Sequence, residues 1–109
     1  MGVGRMHLGI TYWERRDSTD RNDFAYAALG VCRAMRQREG IIDCRFFWRD
    51  SDTIMILTEA GSKEAYDRRP RAETFVAMFA LSDAARRTAS DDFFPPTDGW
   101  NAYRDAGRT

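Results

Sequence analysis

Residues 40–66 read Gly40-Ile-Ile-Asp-Cys-Arg-Phe-Phe-Trp-Arg-Asp-Ser-Asp-Thr-Ile-Met-Ile-Leu-Thr-Glu-Ala-Gly-Ser-Lys-Glu-Ala-Tyr66. The stretch predicts a strand, a tight polar turn, a second strand and the start of a helix. Asp50-Ser51-Asp52 forms the turn, because short side-chain oxygens bond their own backbone and stabilise a reversal. Over 41–49, Ile42, Cys44, Phe46 and Trp48 share one face, and Asp43, Arg45, Phe47 and Arg49 the other. The run at 53–59 alternates little, as in a strand buried on both faces. Ser62 is a helix cap, and 64–69 form a short amphipathic piece that Pro70 interrupts or restarts. A hairpin feeding a helix, with another helix before it, is the middle of a β-α-β-β-α-β layout.

Upstream, Phe24, Ala28, Val31, Cys32 and Met35 recur at helical spacing, with Arg33, Arg36 and Arg38 expected outward. Asp20 or Asn22 caps this helix, and Gly40 is expected to stop it, the left-handed position being cheap only for glycine. Before it, residues 6–14 alternate as a strand: Met6, Leu8, Ile10 and Tyr12 against His7, Gly9, Thr11 and Trp13. Both faces carry bulky groups, so the sheet is expected to be covered on both sides. Downstream, 72–87 reads as a helix whose Phe75, Val76, Met78, Phe79 and Leu81 span more than one face; it should be deeply buried or touch a second chain. Asp91 to Phe94 reads as a short last strand, which Pro95-Pro96 ends. We therefore divide the chain into an α+β domain at 1–92 and an aromatic, proline-containing arm at 93–109.

The 109 residues suit one domain with its own core. Seventeen basic and seventeen acidic residues cancel, which gives no electrostatic ground for nucleic acid or an anionic membrane as partner. Sixteen of the basic residues are Arg, Lys63 being the exception, a bias that codon usage in a GC-rich genome explains more simply than a ligand does. Cys32 and Cys44 lie on different predicted elements without metal-ligand spacing. They are expected to be buried free thiols rather than a disulfide framework or zinc site. No apolar stretch reaches membrane-spanning length and no leader pattern is visible, so a soluble cytoplasmic protein is expected. Nucleotide-binding glycine signatures, nucleophile elbows and clustered metal ligands are all missing.

A four-stranded antiparallel sheet with its helices on one side leaves its other face bare. Two such faces packed together make a homodimer with one barrel-like core, which is the expectation here. At this point Gly-Ile-Ile-Asp-Cys-Arg-Phe-Phe at 40–47 and Leu-Thr-Glu-Ala-Gly-Ser-Lys-Glu-Ala-Tyr at 57–66 resemble the dimeric α+β barrel proteins, of ferredoxin-like fold. Within them the chain is most similar to the antibiotic-biosynthesis-monooxygenase-like group, over roughly 6–88. That resemblance implies cofactor-free oxygenation, or a related cyclase or isomerase reaction, on an aromatic or polyketide-like molecule. Ala60 and Gly61 stand where the family often has Trp. Phe79 falls where haem-degrading members place their iron-ligating His, so no haem, other cofactor or metal is expected.

The candidate site is drawn from residue chemistry. His7, the one imidazole, or Tyr66 is the expected proton acceptor. Arg45 is the expected anion stabiliser, provided its face looks into the helix–sheet cleft. Tyr12, Trp13, Phe47 and Trp48 are the expected walls of a flat substrate pocket. Gly9 leaves space over its strand, either for a ligand or for a close-packed helix. The charged run Asp67 to Arg71 is surface or the rim of the cleft. The other class of function is a non-catalytic small-molecule-binding or assembly domain, with the arm filling the cleft or holding the partner.

Overall fold

The computed structural model describes residues 6–93, and the readings that fall on Phe94 to Thr109 lie outside the described residues. The order is β1 (His7–Arg15), α1 (Arg21–Arg36), β2 (Ile41–Trp48), β3 (Thr53–Ala60), α2 (Lys63–Asp67), α3 (Ala72–Ala84) and β4 (Ala85–Phe93). The strands form one antiparallel sheet in the order β2-β3-β1-β4. The expected ferredoxin-like α+β layout is therefore present.

Local chemistry sets the element ends. Asp20 accepts from the backbone N–H of Asp23 to cap α1, and Ser62 accepts from that of Ala65 to cap α2. The β2–β3 turn closes through Asp50, whose carboxylate accepts from the Asp52 N–H at 2.9 Å. Gly40 does adopt a left-handed φ of 85°. It is not the helix cap, however: α1 ends at Arg36 with Gln37 as C-cap, and Gly40 instead turns the chain into β2.

Helices cover one face of the sheet. Trp13, Cys44, Ile54 and Ile56 from the strands meet Phe24, Ala28, Val31 and Cys32 from α1 and Leu81 from α3. Both cysteines are buried free thiols. Strand β3 alternates more sharply than its sequence suggests. Ile54, Ile56, Thr58 and Ala60 are buried, while Thr53, Met55, Leu57 and Glu59 are half-buried on the other face.

The C-terminal half departs from expectation. Helix α3 stops at Ala84 rather than at 87, and β4 is nine residues long instead of a stub at 91–94. Beyond Ala85 every residue of β4 is exposed, so this edge strand carries none of the apolar alternation by which strands are read. Helix α3 buries Thr74, Leu81 and Ala84, whereas Phe75, Val76 and Phe79 point outward. Of the two outcomes expected for α3, deep burial is thus excluded for its outer face.

β1 and β4 fall out of step once, between Tyr12 and Trp13: Tyr12 faces Ala89, but Trp13 faces Arg87. Thr88 is the extra residue. A bulge of this kind re-aims the side chains beyond it. Without it Thr88 would face Trp13 and Arg87 would fall on the opposite side of the sheet.

Candidate functional site

Between the sheet, the end of α1, α2 and α3 lies a cleft of about 220 Å³. Trp13, Val31, Met35, Ile56 and Met78 make it largely apolar, and Thr11, Thr58, Tyr66, Thr74, Arg38 and Arg87 supply its polar groups. The volume is below the roughly 300–1,000 Å³ of drug-sized sites, which suits a one- or two-ring molecule. The Trp13 indole N–H donates to the Thr11 hydroxyl at 2.9 Å, fixing both side chains on the β1 wall.

Tyr66 reaches the cleft because α2 lays its ring over β1 at Gly9. A Cβ at position 9 would lie 1.9 Å from the Tyr66 hydroxyl oxygen and 2.3 Å from Cζ. Gly9 therefore makes room for the close-packed helix residue, not for a ligand directly. The same ring stands 4.6 Å from His7, tilted by 47°. His7 is 2 % exposed, does not line the cleft, and has its Nε2 3.6 Å from a carboxylate oxygen of Asp92. Burial pushes the Tyr66 phenol above its usual value, with the negative charges of Asp92 and Asp67 acting in the same direction. A phenol so placed is a hydrogen-bond donor at neutral pH, which speaks against its reading as a proton acceptor.

Of the seven expected site residues, the fold places Trp13 and Tyr66 on the cleft, with His7 packed against Tyr66 outside it. Arg45, Phe47 and Tyr12 lie on the opposite, helix-free face of the sheet, because each stands one residue out of phase with the buried positions of its strand. The condition attached to Arg45 is not met. Its guanidinium lies near Asp43 and Glu59 at 3.6 and 4.0 Å and over the Phe47 ring. Trp48 is on the helix side but away from the cleft, edge-on to Phe24 with Arg21 stacked at 4.2 Å.

Arg38 was expected outward and is instead 7 % exposed. It follows the end of α1, where helical spacing no longer predicts direction, and it turns inward to donate to the Arg68 carbonyl and the Met35 sulfur. Burial lowers its pKa, and the like charge of Arg68 adds to the effect; a guanidinium stays charged nonetheless. No sequence signal marks Arg87, because only the bulge brings it to this face. Thr74 carries no signal, being one of several polar residues in α3. The run Asp67 to Arg71 is exposed, with Pro70 at the cleft, so it forms rim.

No family model matches the chain, and no curated protein matches it. Solved structures do. SnoaB, a cofactor-independent oxygenase from Streptomyces nogalater, superposes with a TM-score of 0.75 at 7% identity, over 86% of this chain and 96% of that one. The chain shares a ferredoxin-like fold with this structure. A conserved protein of unknown function from Bacteroides thetaiotaomicron, described as a possible oxidoreductase, matches with a TM-score of 0.70 at 15% identity, over 84% and 99%. A protein from Bacteroides fragilis, described as dimeric and ferredoxin-like, matches at 0.63 and 13%, over 84% and 98%. At these identities the likeness establishes the fold. Among the described residues no group of His, Cys, Asp or Glu is placed to hold a metal ion, and no helix is long and apolar enough to cross a membrane.

Proposed function

We propose that the chain is a small cofactor-independent monooxygenase acting on a one- or two-ring phenolic, polyketide-like molecule held in the cleft. The observation that carries this reading is the Tyr66 phenol, held by Gly9 at the wall of an apolar cleft and kept protonated by burial. Oxidation without a cofactor needs an electron-rich ring, ionised at its oxygen, that can pass an electron to dioxygen. The protein then has three tasks: to exclude water, to hold the ring, and to hydrogen-bond the oxyanion. Trp13, Met35 and Met78 hold the ring, and Tyr66 donates to its oxygen. His7, packed on Tyr66 and close to Asp92, does not line the cleft, so the substrate phenol loses its proton to water before it is enclosed and Tyr66 then holds the oxyanion. In the overall reaction a phenol and dioxygen give a quinone and water: a ring C–H bond is lost, a C–O bond forms, and the O–O bond breaks as water leaves. The shared fold of SnoaB supports this assignment.

The open sheet face belongs to assembly in this reading. Leu8, Ile10, Met55 and Leu57 fill its centre, with Arg45 at one edge and Asp91 at the other end of the same row. That pattern fits a second, two-fold-related copy of the chain, and Tyr12 and Phe47 serve it rather than the substrate.

The test is oxygen uptake and quinone formation with 1-naphthol and with 1-hydroxy-2-naphthoate. Equal consumption of oxygen and formation of quinone is expected with at least one of them. Tyr66→Phe should lower the rate on the order of a hundredfold. Binding in the cleft with no oxygen uptake would replace the oxygenase by a non-catalytic binding module.

A further inference from the structure

We propose that the cleft is built for a ligand bearing a permanent anionic group, an aromatic carboxylate, which Arg38, Arg87 and the Thr74 hydroxyl bind together. This rests on reading the cleft as the substrate site and specifies the substrate class.

Three side chains of one cleft have bonding capacity that the described residues leave unused. Arg38 is nine-tenths buried, yet its hydrogen bonds go to a carbonyl and a sulfur, and it forms no ion pair among the described residues. A buried guanidinium without a counter-ion is costly to fold around. Arg87, turned to this face by the Thr88 bulge, likewise has no ion pair among the described residues. Thr74 is 3 % exposed, and its hydroxyl has no hydrogen-bond partner there. Buried polar groups are normally satisfied, so the orphan hydroxyl marks a place where something else binds.

The sign of the missing group follows from the lining. Two cations and several hydroxyls line the cleft, and among the described residues no carboxylate does. Arg presents a planar fork of donors that matches two carboxylate oxygens, and a threonine hydroxyl can donate to one of them. The apolar walls of Trp13, Met35 and Met78 require the rest of the ligand to be a ring body. A ring-carboxylated phenol satisfies both halves, and the acid fixes which edge of the ring faces Tyr66.

The test is calorimetric binding of 2-naphthoate and of 2-naphthamide, equal in shape and different in charge, to the full chain. Naphthoate should bind about tenfold tighter or more. Arg87→Gln, on an exposed strand, and Thr74→Val, nearly isosteric, should each weaken naphthoate more than naphthamide. Arg38→Met should abolish the preference, with a thermal melt to show that the variant is folded. Equal affinity for the two probes, binding of neither, or equal loss of both in the variants overturns the proposal. Neither probe is a phenol, so the result does not depend on turnover. Naphthoate selectivity with no oxygen uptake on phenols would leave the anion site and remove the oxygenase; oxidation of 1-naphthol with no selectivity would do the reverse.

Discussion

At Tyr66 a single glycine on the neighbouring strand and the surrounding burial decide the chemistry of a phenol. Its raised pKa has a consequence for pH that can be worked out by sign. The folded state disfavours the phenolate, so the corresponding stability is fully present below the usual tyrosine value of 10.0. It is lost as pH rises from there through the higher folded value. In an ultraviolet titration of the native protein, Tyr66 should ionise last or only with unfolding, and Tyr66→Phe should remove that late step. If the variant's titration curve simply loses one ordinary tyrosine, burial does not control this phenol. Residue type made His7 and Tyr66 legible in the sequence, since one is the sole imidazole and the other sits in a recognisable helix start. Arg38 was illegible for a physical reason: two residues past the end of α1, no periodicity ties a side chain's direction to its position in the chain.

Among the elements, α2 is the slightest and carries the most. It spans five residues, too short to persist without help, and its help comes from Ser62 at the cap, the Lys63–Asp67 pair and Ala65 seated beneath Gly40. Ser62→Ala should cost about 1 kcal/mol of stability, read as a small drop in melting temperature. The larger effect should fall on ligand affinity, because fraying α2 releases Tyr66 from the cleft. Unchanged binding would mean that the ring is held by β1 packing alone. The hairpin, both caps and α1 could be read from sequence because turn chemistry and apolar spacing are local signals. β4 could not. As a charged edge strand paired on one side only, it shows neither apolar alternation nor a clean break from the helix before it, so its first residues read as a continuation of α3.

Over the whole molecule, the sheet has a helix-covered side and an open side, and the sequence separated the two sets of residues without saying which was which. Either phase of β1 would have served; the packing of Trp13, Cys44 and Ile56 under α1 fixes the choice. Leu57 lies mid-strand on a central strand of the open side. Leu57→Glu should leave the fold intact by circular dichroism while moving the sedimentation coefficient from that of two chains to that of one. A monomeric wild type would refute the assembly, and the outer face of α3, with Phe75, Val76 and Phe79 exposed, would then be the remaining large apolar surface. Strand β1 serves both sides at once: its odd positions, His7, Gly9, Thr11 and Trp13, belong to the helix side, and its even ones, Leu8, Ile10 and Tyr12, to the open side. Inserting or deleting one codon within this strand would exchange the two sets in a single step. Unless a bulge such as that at Thr88 absorbs the extra residue, substitutions are the changes this strand tolerates. Within that restriction the even codons, on the open side, can change without touching the packing that Gly9 and Trp13 make on the other.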